Sequence, residues 1–547
     1  MRKSLSRIPR FFLLAVVCCL LMFATTVSAQ VEIPTGALPN ETDVQQVFRQ
    51  GSLLEQQQRW GEALTHYEDA LREFPGRQDI EQKLTTARIH YDVGRRYNDS
   101  SYVSALQQMQ ERNALDVYAE VLLKIQAHHV HSPDWQNLLE RGTTQLDVAL
   151  TDEAFLDKNL AELDQQRIDG FRRDFRNVMR SNTAQSRQEA RNQVAMVARF
   201  AAQNLGISPQ VVVLEYMCGA LGALDMYSSY LTGAQLDDIM SQIEGNFVGL
   251  GIELKADQQS LLIVSVIPGG PAARAGVQDG DRIIEVDGNN MNDISTDAAA
   301  NMLKGEEGSS VKVIVVAPSN VRRHLEIRRE RVEVPSVEDV SIVDRDYGIG
   351  YLKLTSFQKT TLRDFDAALW KLHQQGMKRL IVDVRGNPGG LLTASVEVAD
   401  KFVSSGTIVS TRGRSPREDF DYKAHSAGTW RVPLIVLVDG DSASASEIFA
   451  AAIKDNRRGR IVGERSFGKG SVQGIFPLNL AKAGVRLTTA KFYSPHGHPI
   501  SDRGVQPDFV VRATAKPDNA TGESPADNTD VVLNAGVQIA RQQLSQR

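Results

Sequence analysis

The sequence predicts a multidomain α/β protein with an all-α N-terminal region, a β-rich middle region and an α/β core. Three observations predict this class. Residues 40 to about 195 are poor in Gly and Pro and rich in Gln, Glu, Arg, Leu and Ala, which favour helices. Residues 236–331 alternate short β-rich runs with Gly-rich turns. Residues 332–512 alternate continuous apolar strands with amphipathic helices, a pattern typical of a largely buried sheet.

Length and composition bound the classes of function. At roughly 100–200 residues per domain, the 547-residue chain holds about three to four domains. Hydrophobic residues make up 42% and charged residues 24%, as in ordinary globular proteins. The formal charge of -5, with no long basic run, argues against a nucleic-acid partner.

The first 29 residues have the pattern of a secretory signal peptide. Basic residues open the segment, and the apolar run Phe11–Ala24 is shorter than the roughly 20 residues of a membrane span. Val27-Ser28-Ala29 has the small-residue pattern of a cleavage site. The pattern predicts export to the periplasm or cell envelope; an uncleaved membrane anchor is the alternative. After cleavage only Cys218 remains, so no internal disulfide forms.

The helical domain is expected over residues 30–195, followed by a helical lead-in over 196–235. Within it, Trp60–Pro75 repeats large and small apolar residues at helical spacing and resembles one tetratricopeptide repeat; a generic helical hairpin is the alternative. The histidines of residues 128–131 lack acidic or Cys partners at ligand spacing, so no metal site is expected. Whether the domain binds an adaptor, self-associates or only packs stays open.

A serine-rich turn joins a predicted buried strand, Leu434–Val438, to a predicted helix, Ala445–Ile453. Ser444 lies at the N-terminus of this helix, where unpaired N–H groups and the helix dipole favour developing negative charge. This is the logic of a nucleophile elbow, although Gly-x-Ser-x-Gly is absent. The alternative is a helix cap.

Residues 463–473 nearly spell a phosphate-binding loop. Gly470 stands where that motif needs Ser or Thr, and extended rather than helical sequence follows, so nucleotide binding is rejected. Glycines on both sides of Lys469 instead let the backbone pack closely around a poorly hydrated amine, whose pKa burial lowers. A neutral lysine amine can accept a serine proton, and Gln473 could orient it.

A third glycine-containing segment, Asp383–Gly390, begins at the end of a predicted buried strand, Leu380–Val384. Its glycines can present backbone N–H groups to an oxyanion. The alternative is a tight turn.

These three segments and Gly-Val-Gln-Pro-Asp at 504–508 closely resemble the C-terminal processing peptidases, also called tail-specific proteases. The resemblance runs from about residue 210 to 545. The catalytic residues that it implies are Ser444 as nucleophile, Lys469 as base and Gln473 as its assistant. It also implies an oxyanion hole from the backbone N–H groups of Gly389 and Ala445, and a supporting role for Glu447. No metal or cofactor is implied.

Residues 236–331 closely resemble a PDZ domain of the bacterial type. The motifs that carry this likeness are Gly-Leu-Gly-Ile at 249–252, Ala-Gly-Val at 275–277 and Gly-Asp-Arg-Ile at 280–283. The resemblance implies that Gly249, Leu250 and Gly251 hold the terminal carboxylate of an unstructured, apolar substrate tail. The strand from Ile252 would pair with that tail by β-augmentation. Lys304 stands where many family members carry an arginine that helps to switch activity, and lysine lacks its bidentate fork.

The sequence therefore predicts an exported serine endopeptidase that recognises protein substrates by their C-termini and cleaves near them. Residues 513–547 are expected to form a linker and a short helix over Asp530–Leu544. The alternative function is a non-catalytic scaffold that binds peptides through its PDZ and helical domains. Loss of Ser444, Lys469 or Gln473 would have favoured that alternative, and all three are present.

Overall fold

The computed structural model describes residues 41–257, 260–291, 299, 302–512 and 530–542. The predicted signal peptide and the linker over 513–529 lie outside the described residues. The chain divides into two compact units, whose described parts are 41–88 and 89–542. Among the described residues, no helix combines the length and apolarity needed to cross a membrane.

The first unit is a helical hairpin followed by the start of a third helix. Its helices are α1 (Glu41–Gln56), α2 (Trp60–Glu73) and the first part of α3 (Gln78–Tyr97). Tyr67 of α2 is fully buried against α1, where a Cβ placed on Gly51 would lie 2.1 Å from the Tyr67 hydroxyl oxygen. Helix α2 lies within the Trp60–Pro75 segment that carries the repeat-like pattern, and its buried residues are Ala63, Tyr67 and Ala70.

The second unit begins with a helical bundle. Its helices are the end of α3, then α4 (Ser100–Gln108), α5 (Glu111–His128), α6 (Trp135–Ala149), α7 (Glu153–Asn159), α8 (Gln165–Arg180), α9 (Arg187–Leu205) and α10 (Pro209–Gly222). Helix α10 is buried on nearly all sides, and its Glu215 binds the buried guanidinium of Arg96 at 2.7 Å. Leu478, Val485 and Leu487, which follow the bundle far along the chain, belong to the same hydrophobic core. The bundle and the region over residues 332–512 therefore share one interior.

The β-rich region after helix α11 (Gly233–Glu244) is a small antiparallel domain. Its elements are β2 (Asn246–Gly249), β3 (Ile252–Asp257), β4 (Ser260–Val266), α12 (Pro271–Arg274), β5 (Arg282–Val286), β6 (Asn289–Asn290), β7 (Ser310–Val316), β8 (Arg322–Arg328) and β9 (Glu330–Glu333). The strand order of its main sheet is β3-β4-β5-β7-β8, which leaves β3 at an edge, and β2 pairs with β9.

The α/β region is built on a sheet in the order β10-β11-β12-β15-β16-β19, parallel except for the antiparallel pair β10–β11. Its strands are β10 (Val337–Asp344), β11 (Ile349–Leu354), β12 (Arg379–Asp383), β15 (Leu434–Val438), β16 (Arg460–Gly463) and β19 (Phe509–Val510). One face is covered by α13 (Thr361–Gln374), α14 (Leu392–Asp400) and α15 (Ala445–Asp455), and the other by α16 (Val531–Gln542). Burial on both faces explains why β12 and β15 read as continuous apolar runs.

A second, antiparallel sheet joins the bundle to this core. Its strands are β1 (Ser229–Leu231), β13 (Thr407–Gly413), β14 (Phe420–Lys423), β17 (Ser471–Pro477) and β18 (Gly484–Tyr493). Strand β18 pairs with β1, β13 and β17, so the segment that precedes the β-rich domain is fixed to the strand pair that follows Lys469. The multidomain α/β architecture with its helical N-terminal region is confirmed.

Candidate active site

Ser444 lies on a strained turn between β15 and α15. Its φ of 56° and ψ of -112° are unusual for a residue with a side chain, and such strain persists only where surrounding contacts impose it. The Ser444 N–H donates to the Glu447 carboxylate at 2.8 Å. The side chain is partly exposed, as a nucleophile requires, and its hydroxyl donates no hydrogen bond to any residue that the structure describes.

The two neighbouring serines have structural contacts instead. Ser442 is buried and its hydroxyl donates to the Val384 carbonyl at 2.8 Å. Ser446 is also buried and donates to the Asn387 carbonyl at 2.9 Å. Both bonds tie the turn to the segment that follows β12. Of the three serines in this turn, Ser444 alone is therefore available for chemistry.

Glu447 joins the Ser444 turn to the Lys469 loop. Its fully buried carboxylate accepts hydrogen bonds from the Ser466 hydroxyl at 2.6 Å, the Gly468 N–H at 2.7 Å, the Ser444 N–H at 2.8 Å and the Lys469 N–H at 2.9 Å. Burial raises the pKa of Glu447, while these four donors act to lower it. The Glu447 carboxylate therefore holds the backbone of Ser444 and the backbone of Lys469 next to each other.

Lys469 lies in a loop that leads directly into strand β17 rather than into the helix that a phosphate-binding loop opens. A Cβ on the adjacent Gly470 would lie 2.2 Å from the Ser501 nitrogen, so this position requires glycine. Burial lowers the pKa of Lys469; the positive charge of Arg486 lowers it further, and Glu447 opposes this. The net shift is toward the neutral amine that a base needs.

The Lys469 amine and Gln473 do not contact each other in this arrangement. The Lys469 Nζ lies 5.0 Å from the centroid of the Tyr227 ring and donates no hydrogen bond to Ser444 or to another described residue. The Gln473 amide, on β17, donates to the Ser471 hydroxyl at 2.9 Å. The structure brings Ser444 and Lys469 to one site but places neither the amine nor Gln473 in the expected hydrogen bonds.

Gly389 and Ala445, the two residues expected to form an oxyanion hole, both lie next to Ser444. A Cβ on Gly389 would lie 2.8 Å from both the Ser444 Cβ and the Ala445 nitrogen, so Gly389 is in direct contact with the turn. Ala445 opens α15, where first-turn N–H groups lack helical partners. The Gly389 N–H, however, donates to the side-chain oxygen of the buried Asn387 at 2.8 Å. Gly389 must exchange this bond before it can bind an oxyanion.

Three residues of this site escaped sequence analysis: Tyr227, Arg486 and Asn387. Tyr227 covers the lysine amine, and Arg486 donates to the Tyr227 backbone carbonyl at 2.9 Å. Neither residue belongs to a recognisable motif. Tyr227 lies between α10 and β1, and Arg486 lies in β18. Asn387 lies inside the segment Asp383–Gly390, which was selected for its glycines. An amide side chain two residues before Gly389 is the feature that could have indicated a bond to the Gly389 N–H.

The candidate peptide-binding loop lies between β2, which ends at Gly249, and the edge strand β3, which begins at Ile252. The Leu250 carbonyl accepts from the Ala272 N–H at 2.9 Å. The N–H groups of Leu250 and Gly251 donate to none of the described residues. The loop can therefore offer these donors to a carboxylate, and among the described strands β3 pairs on one side only, with β4.

Lys304 forms an exposed ion pair with Asp238 of α11 at 2.9 Å. A buried arginine, Arg329, does contact the backbone next to Lys304. Its guanidinium donates to the carbonyls of Leu303 at 2.8 Å and Met302 at 3.1 Å. A Cβ on Gly305 would lie 2.9 Å from the Arg329 Nε. Lys304 thus connects the β-rich domain to α11, and Arg329 anchors the adjoining backbone.

Several histidines of the described chain lie beside carboxylates. His425 binds the Asp400 carboxylate at 3.1 Å, and His496 lies 3.6 Å from that of Asp455. His129 binds Asp225 at 3.0 Å. Within the described part of the chain, no group of three or more His, Cys, Asp or Glu residues has a geometry that could hold a metal ion.

Comparison with known proteins identifies two regions. Residues 348–511 match peptidase family S41, and residues 262–316 match the PDZ domain. The chain is 38% identical over 309 residues to the carboxy-terminal-processing protease of Bartonella bacilliformis, a match that covers 55% of this chain and 70% of that protein. It is 33% identical over 290 residues to the carboxyl-terminal-processing protease of Picosynechococcus sp., covering 52% and 70%. Among solved structures, it is similar to the photosystem II D1 C-terminal processing protease (25% identity, TM-score 0.39, covering 73% of this chain and 93% of that one).

Proposed function

Because this chain belongs to peptidase family S41 as a carboxyl-terminal-processing serine protease, we propose that Ser444 is its nucleophile and Lys469 the base that activates it. The catalytic function is supported over the non-catalytic scaffold, and the PDZ domain and the protease family both imply protein or peptide substrates. The observation that carries the assignment is Glu447, whose carboxylate binds the backbone of Ser444 and of Lys469 at once.

The proposed reaction begins when neutral Lys469 accepts the proton of the Ser444 hydroxyl. The serine oxygen then attacks a peptide carbonyl, and the carbonyl oxygen becomes an oxyanion beside the N–H groups of Ala445 and Gly389. One such donor contributes roughly 3–4 kcal/mol to the transition state. The Lys469 ammonium next protonates the leaving amine. Neutral again, the lysine activates the water that hydrolyses the acyl-enzyme.

Two rearrangements have to precede this reaction. The Lys469 amine has to come within hydrogen-bond distance of the Ser444 hydroxyl, where Gln473 can then bind it, without leaving the face of the Tyr227 ring. The Gly389 N–H has to leave the Asn387 side chain. Catalytic hydrogen bonds are often loose without substrate and tighten when it binds, so we place both changes at substrate binding.

Cleavage of an unstructured protein by the full chain tests the catalytic pair. The parent should cut, whereas Ser444→Ala and Lys469→Met should not. Lys491→Met, which removes an exposed lysine of β18, is the matched control and should cut like the parent. Activity that survives in Ser444→Ala would assign the reaction to another residue. Activity that survives in Lys469→Met alone would leave the serine in place and exclude the lysine as base.

We also propose that the PDZ domain selects substrates with unstructured, apolar C-termini. Two observations support this: the N–H groups of Leu250 and Gly251 donate to none of the described residues, and β3 lies at the edge of the described sheet. Peptides with identical cleavage sites are compared with a free C-terminal carboxylate, with a C-terminal amide, and with aspartates as last residues. We expect the free apolar tail to have the lowest KM. Equal KM values for all three would exclude tail recognition by this loop.

Export and partner binding are further parts of the proposal. The signal-like pattern of the first 29 residues supports transport to the periplasm or cell envelope, with membrane association if the segment stays attached. Fractionation and N-terminal sequencing of the expressed protein test both. An adaptor or a second copy of the chain could bind the helical region, which cross-linking of the purified protein would detect.

A further inference from the structure

The amine of Lys469 lies against an aromatic ring that comes from outside the peptidase motifs. Its Nζ is 5.0 Å from the Tyr227 ring centroid, within the range of a cation–π contact. Tyr227 belongs to the segment between α10 and β1, which precedes the PDZ domain in the chain. The mechanism above gives this ring no role beyond covering the amine.

The backbone of Tyr227 is held on both sides. Its N–H donates to Asp225 at 2.8 Å, and its carbonyl accepts from Arg486 at 2.9 Å. Burial alone would raise the pKa of Asp225, but hydrogen bonds from His129, Tyr227, Ser228 and Thr488 lower it to about 2. Asp225 is therefore a carboxylate at neutral pH, and it ties the Tyr227 segment to β18, whose Thr488 lies opposite Gln473.

We propose that Tyr227 is a positioning residue of the base site, whose ring face stabilises the ammonium that forms on Lys469 as it accepts the Ser444 proton. This inference rests on the proposed function, because it takes Lys469 as the base. In the step concerned, the Ser444 O–H bond breaks and an N–H bond forms on Lys469. The serine electron pair forms the new bond to the substrate carbonyl carbon, and the carbonyl oxygen takes the negative charge.

The charges around the amine explain why a ring suits this position. Arg486 from β18 and burial both disfavour the ammonium, and Glu447 from α15 favours it. A further carboxylate would hold the proton on Lys469 and abolish its function as a base. A ring face attracts the cation more weakly, so it can stabilise the transient ammonium without keeping it.

The phenol itself stays neutral. Burial raises the pKa of Tyr227, and the negative charges of Asp502, Glu447 and Asp225 raise it further. Its hydroxyl is therefore no base at physiological pH, and the ring face is the part that acts on the amine. The prediction that follows is that Tyr227→Phe preserves function and Tyr227→Leu does not.

The test compares full-length Tyr227→Leu and Tyr227→Phe in peptide cleavage over a range of pH. In Tyr227→Leu we expect kcat to fall roughly tenfold with little change in KM, because the contact acts on the ammonium formed in the transition state. The acid limb of the kcat profile should move to lower pH, because the ammonium is less stable without the ring. Tyr227→Phe should recover most of both effects. Tyr422→Leu, a half-buried tyrosine of β14, is the matched control and should behave like the parent.

A graded series keeps the test decisive if Tyr227→Leu folds poorly. Phenylalanines with increasing numbers of ring fluorines at position 227 keep the size of the ring and weaken its attraction for cations. A stepwise fall of kcat along the series supports the inference. A flat series, or a Tyr227→Phe variant as impaired as Tyr227→Leu, overturns it. If Lys469→Met still cleaves, the proposed base is wrong; if that variant is inactive and the series is flat, the Tyr227 inference alone fails.

Discussion

Replacement of Glu447 by glutamine tests whether one buried carboxylate holds the two halves of the catalytic pair together. The Glu447 carboxylate accepts from Ser466 and Gly468 on one oxygen, and from Ser444 and Lys469 on the other. The amide oxygen can keep the second pair. The amide NH2 then faces the first pair, where the Ser466 hydroxyl can turn to accept but the Gly468 N–H cannot.

One orphaned, buried N–H costs about 1–3 kcal/mol, so we expect the free energy of unfolding to fall by about that amount. Gly468 directly precedes Lys469, and a displacement of about 1 Å at a catalytic group can lower the rate roughly 100-fold. We therefore expect kcat of Glu447→Gln to fall by roughly that factor. The acid limb of its pH profile should move to lower pH, because the charge that favours the Lys469 ammonium is gone.

Urea unfolding and initial rates on a peptide substrate measure both quantities. Glu397→Gln, an exposed glutamate of α14, is the matched control and should change neither. Parental kcat in a destabilised Glu447→Gln variant would refute a catalytic consequence of the four-bond network. Parental stability would refute the hydrogen-bond assignment itself.

Three further predictions concern charge, packing and the C-terminal helix. Lys469→Met should raise the free energy of unfolding near neutral pH, because burial and Arg486 lower the pKa of the lysine that it removes. In urea titrations this gain in stability should shrink as the pH rises toward 10.5, the ordinary pKa of lysine. A gain that stays constant with pH would contradict the prediction. Gly470→Ala should cost about 1–3 kcal/mol of stability, since its Cβ would lie 2.2 Å from the Ser501 nitrogen, and should lower kcat; unchanged values would show that the loop relaxes freely. Asp530→Ala should cost about 0.5–2 kcal/mol, because Asp530 accepts from first-turn N–H groups of α16; hydrogen exchange should show faster opening of α16, and unaltered protection would contradict the prediction.

The elements that sequence predicted well are those whose signal is local. The strand Leu434–Val438 is observed with the predicted bounds, because a parallel strand buried on both faces must be apolar throughout. The helix after Ser444 begins at Ala445 as expected, because a turn of small residues precedes it. The PDZ-like region was recognisable because its turns require glycine at fixed positions, such as Gly251 with its φ of 75°.

The contacts that sequence could not predict join segments far apart in the chain. Nothing around Tyr227 distinguishes it from any other tyrosine near the end of a helix, and its position over Lys469 follows from the pairing of β1 with β18. The bonds of Gly389 to Asn387 and of Gln473 to Ser471 depend on side-chain rotamers, which a motif does not encode. Nor does amphipathicity reveal that the helical bundle packs on β18 rather than on itself alone.

Because this carboxyl-terminal-processing protease acts near the C-termini of proteins, helix α16 of one molecule is itself a potential substrate of another molecule. Arg385 binds Asp530 at the start of this helix at 2.7 Å, and Arg541 near its end binds Asp344 at 2.7 Å. Val532 and Ala540 are buried against the parallel sheet. A neighbouring molecule would have to break both ion pairs and separate α16 from the sheet before these residues could bind in its active site as an extended substrate.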